Sequence, residues 1–153
     1  MEPRLLFSEA KKEMAMADHI ATVTLPLIRD KKVFLSVLQH ANGSINGAIK
    51  AYLLLQKDKR RLRMVPSSEE IVRQLFFETF MEDLDVTIRE KMELDEINDV
   101  VIAHNKSQAE LKRGEEYVIV LPNFSTVTVN QSQIKRYLSS TKNFISKVER
   151  GMD

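Results

Sequence analysis

Three histidines, His19, His40 and His104, are the residues of this 153-residue chain suited to proton transfer or metal binding near neutral pH. Only His19 has a carboxylate beside it, Asp18, and neighbours on a helix diverge by about 100°, so the two cannot form a metal site unaided. No His-x-x-x-His or Glu-x-x-His pair occurs, although metal sites in helical bundles draw ligands from one helical face. His40 and His104 fit hydrogen-bonded core or boundary positions better than a catalytic base. Glu78 and Glu82 stand four residues apart, with Asp83 and Asp85 enlarging the acidic segment. Such carboxylates can hold a metal or share a proton, but they fit a solvated face better. There is no cysteine, no Gly-x-x-x-x-Gly-Lys-Ser/Thr phosphate loop and no framed serine nucleophile. No catalytic residue, metal or cofactor is therefore assigned.

Clustered positive charge offers a different chemistry. Lys57, Lys59, Arg60, Arg61 and Arg63 place five cations within seven residues. Such a run can position a nucleic-acid backbone and release its counterions. It also offsets the dipole at a helix C-terminus, and no aromatic residue interleaves with it for base stacking. Lys135, Arg136, Lys142 and Lys147 extend the patch only if the fold brings them near. A second pattern is the stripe Ser36, His40, Gly43, Gly47 and Ala51, small residues along one helical face. Two glycines inside a helix cost about 1 kcal/mol each relative to alanine. The stripe therefore implies close packing of another helix, either within the bundle or on a second subunit of a homodimer.

These residues must be positioned by amphipathic helices. Leu6, Ala10, Met14, Ala17 and Ala21 predict a helix over about Arg4 to Val23, and Pro26 predicts a bend after it. Asp30 can cap a long second helix running from Lys31 to about Lys59. Ser67 with Glu70 matches a capping box for a third helix, whose apolar spacing runs through Leu75, Phe80 and Ile88 towards Met92. Asp95 can cap a fourth, with His104, Gln108 and Leu111 on one stripe and Gly114 as its stop. Tyr117–Leu121 and Ser125–Val129 flank Pro122-Asn123 and predict a β-hairpin at about 116–129. Asn130 and Gln133 then cap a last helix lined by Ile134, Leu138, Ile145 and Val148. The expected fold is mainly α: one domain over residues 1–153, an antiparallel bundle of about five helices with a hairpin before the last. A winged-helix DNA-binding layout is the alternative.

Composition fits that picture. With 43% apolar and 29% charged residues, the chain is of ordinary globular type, and its net charge of +1 means that only local patches can attract an anion. No apolar run reaches the roughly 20 residues of a membrane span, and the first residues lack the pattern of an export signal. A soluble cytoplasmic protein is expected.

The segment Ala17-Asp18-His19, the bend Thr24-Leu25-Pro26-Leu27-Ile28-Arg29-Asp30-Lys31 and the alanine- and glycine-bearing second helix resemble small archaeal helical-bundle proteins of the HEPN-like type. The resemblance covers most of the chain at the level of helix order. It implies a bundle that dimerises and binds RNA, nucleotides or a nucleotidyltransferase partner. RNA-cleaving members carry an Arg followed four to six residues later by His, and no histidine here is preceded by Arg at that spacing. The expected function is a non-catalytic binding or assembly module with a basic edge for RNA or another anionic or protein partner, with no membrane role. An atypical HEPN-type ribonuclease or a bundle metalloenzyme is the enzymatic alternative.

Overall fold

The structure is a computed structural model that describes residues 2–28, 30 and 32–153. Arg29 of the expected bend and Lys31, the expected start of the second helix, lie outside the described residues. The elements in order are α1 (Pro3–His19), a π-helical turn (Ile20–Thr24), α2 (Leu25–Ile28), α3 (Lys32–Asp58), α4 (Glu69–Thr79), α5 (Ile88–Lys106), β1 (Ala109–Arg113), β2 (Glu116–Val120), β3 (Thr126–Val129) and α6 (Gln131–Gly151). The protein is mainly α, as the periodicity implies. No described helix is long and apolar enough to cross a membrane.

The four long helices alternate in direction. Ser44 Oγ donates to the Ala10 carbonyl at 2.7 Å while His40 meets Glu13, so α1 runs antiparallel to α3. Asn42 meets Asn98, and Arg73 of α4 joins Asn46 to Asp95, which turns α5 back along α3. Lys11–Glu149 and Lys142–Asp18 pairs, each at 2.6 Å, run α6 antiparallel to α1. The centre is aromatic: Phe76 of α4 packs edge-on against Tyr52, Phe77 and Phe144.

Local capping explains several boundaries. Asp30 Oδ1 accepts from Lys32 N at 2.9 Å, as expected of a cap. Asn130 and Gln133 exchange side-chain bonds at 2.8 and 2.9 Å, forming the expected capping box of α6. Ser67 and Glu70 form no such box. Helix α4 starts at Glu69 behind Ser68, whose side chain makes no capping bond.

The expected third helix is two helices. It ends at Thr79, and Asp85 takes a left-handed φ of 57° with Val86 N bonded to the Met81 carbonyl. Thr87 and Glu90 then form a full capping box for α5. Asp95 is consequently no cap; it lies inside α5. Glu78 and Glu82 do not share a helix either, since Glu82 falls in the connecting turn.

The expected hairpin is part of a three-stranded antiparallel sheet in the order β1-β2-β3. Helix α5 stops at Lys106, and Leu111, expected on its stripe, is in β1 opposite Val118. Gly114 serves the β1–β2 turn at φ 62° instead of ending a helix. Strand β1 is polar because it is an edge strand; charges on an edge discourage pairing with other chains. Pro26 does not break the helix either. It sits in α2 directly after the π-helical turn, whose wider spacing relieves the clash of a proline ring with the carbonyl four residues before it.

The β2–β3 loop contains Phe124 in the left-handed region at φ 65°, with its side chain 75% exposed. Loops of this length favour glycine there, and a side chain costs on the order of 1 kcal/mol. Phe124→Gly is therefore expected to stabilise the fold by about 1 kcal/mol, read as a higher denaturation midpoint at unchanged slope. An unchanged or lower midpoint would show that the exposed ring contributes packing of its own.

Candidate functional site

The basic run sits where α3 ends. Arg60 N donates to the Lys57 carbonyl at 2.9 Å and Arg61 N to the Gln56 carbonyl at 2.8 Å, the two bonds of a Schellman motif. Arg60 is its left-handed residue, at φ 61°. Lys57, Lys59, Arg60, Arg61 and Arg63 are all exposed, so the motif fixes the backbone while the charges face water. Arg61 also reaches Gln56 Oε1 at 3.3 Å.

Further cations arrive from the opposite end of the sequence. Lys59 Nζ donates to the Asp153 carbonyl at 3.4 Å, and an Arg4 guanidinium nitrogen donates to the Met152 carbonyl at 3.2 Å. Arg4 opens a groove of about 460 Å³ lined also by Phe7, Ser8, Lys11, Lys12 and Glu149. The end of α3 and the first turns of α1 thus form one cationic surface around the end of α6. The C-termini of α3 and α6 both lie here, so part of this charge offsets their dipoles.

The last helix does not extend the patch. Lys142 pairs with Asp18, and Lys147 is held by Glu90 and the Asp85 carbonyl. Lys135 and Arg136 belong to the first turns of α6, whose Gln131 shares a cleft with Phe34 near the start of α3. They lie at the far end of the bundle. Burial would raise the Glu90 carboxyl, but Lys147 and the Thr87 cap outweigh it and hold the group below its ordinary value.

The small-residue stripe packs within the chain. A Cβ added at Gly47 would lie 3.3 Å from Ala10 Cβ, and one at Gly43 would lie 3.4 Å from Glu13 Oε2. Ala51 is fully buried, Ser36 is half-buried, and His40 Nδ1 lies 2.8 Å from Glu13 Oε2. The glycines therefore admit α1, the intramolecular option.

The histidines do not converge. His40 pairs with Glu13, and His104 Nδ1 lies 2.6 Å from Glu110 Oε1; His19 is exposed. Glu110 also accepts from Ser107 Oγ at 3.3 Å and, with burial, holds the Tyr117 phenol above its ordinary range. This group ties the end of α5 to the sheet. Spacing does not reveal it, because the expected fourth helix, running through Gln108 and Leu111, includes Glu110. Among the described residues, no three His, Cys, Asp or Glu are arranged to hold a metal ion.

A cleft of about 680 Å³ lies between α4 and α5. At its base Arg73, 7% exposed, donates to Asn46 Oδ1 at 2.8 Å, Asp95 Oδ1 at 3.2 Å and the Leu94 carbonyl at 3.4 Å. Lys91 binds the other Asp95 oxygen at 2.7 Å, and both cations lie over the Phe77 ring. Spacing does not reveal this cleft, because the turn after Thr79 that folds α5 back beside α4 falls inside the expected third helix. Compared with known proteins, the chain matches no family model, no curated protein and no solved structure.

Proposed function

We propose that the chain is a non-catalytic helical binding module, HEPN-like in helix order, that contacts RNA or another anionic polymer through its basic end. The observation that carries this reading is the pair of contacts from Lys59 and Arg4 to the last two residues. They join the run Lys57–Arg63 to the Arg4 and Lys12 side of α1, where Lys11 is paired with Glu149, making a surface longer than either segment. The separate pairing of His40 and His104 with glutamates supports binding over catalysis, since neither imidazole meets the other or Arg60 or Arg61.

The test is the salt dependence of binding to a single-stranded RNA oligonucleotide. Each cation that contacts a phosphate contributes about 0.7 to the slope of log affinity against log salt. Replacing Lys57, Arg60 and Arg63 together by glutamine is expected to lower that slope by about 2. Arg4→Gln with Lys12→Gln should weaken binding too, whereas Lys135→Gln with Arg136→Gln should not. Affinity insensitive to salt, or lost equally in all three variants, defeats the reading.

A further inference from the structure

We propose that β1 pairs antiparallel with β1 of a second copy of this chain, joining the two sheets into one. Strand β1 ends the sheet order β1-β2-β3 and pairs with β2 alone, so its other edge is open. Ala109, Leu111, Lys112 and Arg113 are exposed, and Leu111, in the middle of the strand, keeps 45% of its surface in water. Helix α5 packs against β2 and β3, which leaves the outer edge of β1 accessible.

Charge selects the occupant. The segment Ala109-Glu110-Leu111-Lys112-Arg113 is complementary to itself when reversed about Leu111. In that register Glu110 stands opposite Lys112 of the partner subunit, Lys112 opposite the partner's Glu110, and Leu111 opposite its own equivalent. Opposite charges directly across paired strands attract, and like charges repel. The charges that deter a foreign strand at this edge therefore match the chain's own copy. Within the chain Glu110 meets His104 and Ser107, whereas the Lys112 side chain has no hydrogen bond or ion pair among the described residues.

The backbone favours the same register. The two-residue turn Gly114-Glu115 makes Arg113 and Glu116 a hydrogen-bonded pair, and such pairs alternate along an antiparallel ladder. Ala109, Leu111 and Arg113 thus turn their main-chain groups to β2, while those of Glu110 and Lys112 face the open edge. Pairing with the second copy satisfies them. It also sets Leu111 on the two-fold axis in a non-bonded pair, where side chains approach closest and an exposed apolar surface is covered.

The chain has no cysteine, so a single introduced thiol can cross-link only to another copy. Leu111→Cys is expected to oxidise to a covalent dimer, because Cα atoms of a non-bonded pair lie about 4.5 Å apart, within disulfide reach. Ala109→Cys should stay monomeric on the same non-reducing gel, since its equivalent in the second copy lies about 14 Å further along the strand. Sedimentation equilibrium of the full chain should show a dimer that weakens with salt. Lys112→Glu sets like charges across both pairs and is expected to raise the dissociation constant about tenfold or more. Thr126→Glu, on the other edge strand, should leave it unchanged. All four positions are exposed, so the variants should keep the parent circular dichroism. The proposal is overturned if the parent is monomeric at every concentration, if Ala109→Cys cross-links in place of Leu111→Cys, if Lys112→Glu leaves the dimer intact, or if Thr126→Glu removes it. Lys112 shares a cleft with Phe34 and Gln131, at the far end of the bundle from the basic surface, so none of these results depends on RNA binding.

Discussion

Replacing Phe76 by alanine is expected to cost about 3–5 kcal/mol, the largest effect of any single truncation in this fold. The ring is fully buried and lies edge-on to three others: Tyr52 at 5.7 Å, Phe77 at 5.2 Å and Phe144 at 5.7 Å between centroids. Each such pair contributes about 0.5–1.5 kcal/mol beyond the area it buries. The three neighbours come from α3, α4 and α6, so no single side-chain movement can fill the hole. The melting temperature should fall by roughly 6–20 °C, at about 2–4 °C per kcal/mol for a chain of this length. Urea unfolding checks it. A loss below about 1 kcal/mol would place the centre of the core elsewhere.

Above pH 10 the protein is expected to lose about 3 kcal/mol through Tyr137 alone. Burial and a hydrogen bond to Glu96 raise this phenol to about 12 from its ordinary 10.0. The sign follows from proton counting. Between these values the unfolded chain has released the proton and the folded chain has kept it, so unfolding gains with each pH unit by about 1.4 kcal/mol. The stabilisation is complete below pH 10 and is gone once pH passes 12. Tyr52 and Tyr117 are raised in the same direction, by burial first, then by Asp83 and Glu110. Tyrosinate absorbance followed beside circular dichroism should show phenol ionisation arriving together with unfolding. Tyr137→Phe should flatten the alkaline limb, and ionisation well before unfolding would refute the assignment.

What could be read from sequence was what is local. Asn130 and Gln133 are three residues apart and satisfy each other's backbone, so their spacing specifies the start of α6 without knowledge of the fold. Thr87 and Glu90 form the same device, yet an unbroken apolar spacing from Phe80 to Met92 concealed it. The spacing continues while the environment changes: Phe80 and Leu84 are buried, whereas Ile88 and Met92 are 74% and 58% exposed. Periodicity records where apolar residues recur and says nothing of whether they face one core. Strand β1 carried no β-branched residue to announce it, because pairing with β2 makes it a strand. The candidate sites are less local still. The basic surface needs Arg4 beside Met152, and the cleft needs Arg73 bonded to Asp95 across the turn that was not foreseen.

The aromatic centre also orders events during synthesis. Phe76 draws partners from both directions along the chain, Tyr52 before it and Phe144 after it. Helices α1 and α3 can pair as soon as both have left the ribosome, because their contacts involve no later residue. The ring cluster has no such freedom. Until α6 has emerged, Phe76 and Phe77 lack their Phe144 neighbour, and the nascent chain carries an incomplete apolar surface that is open to association with other chains.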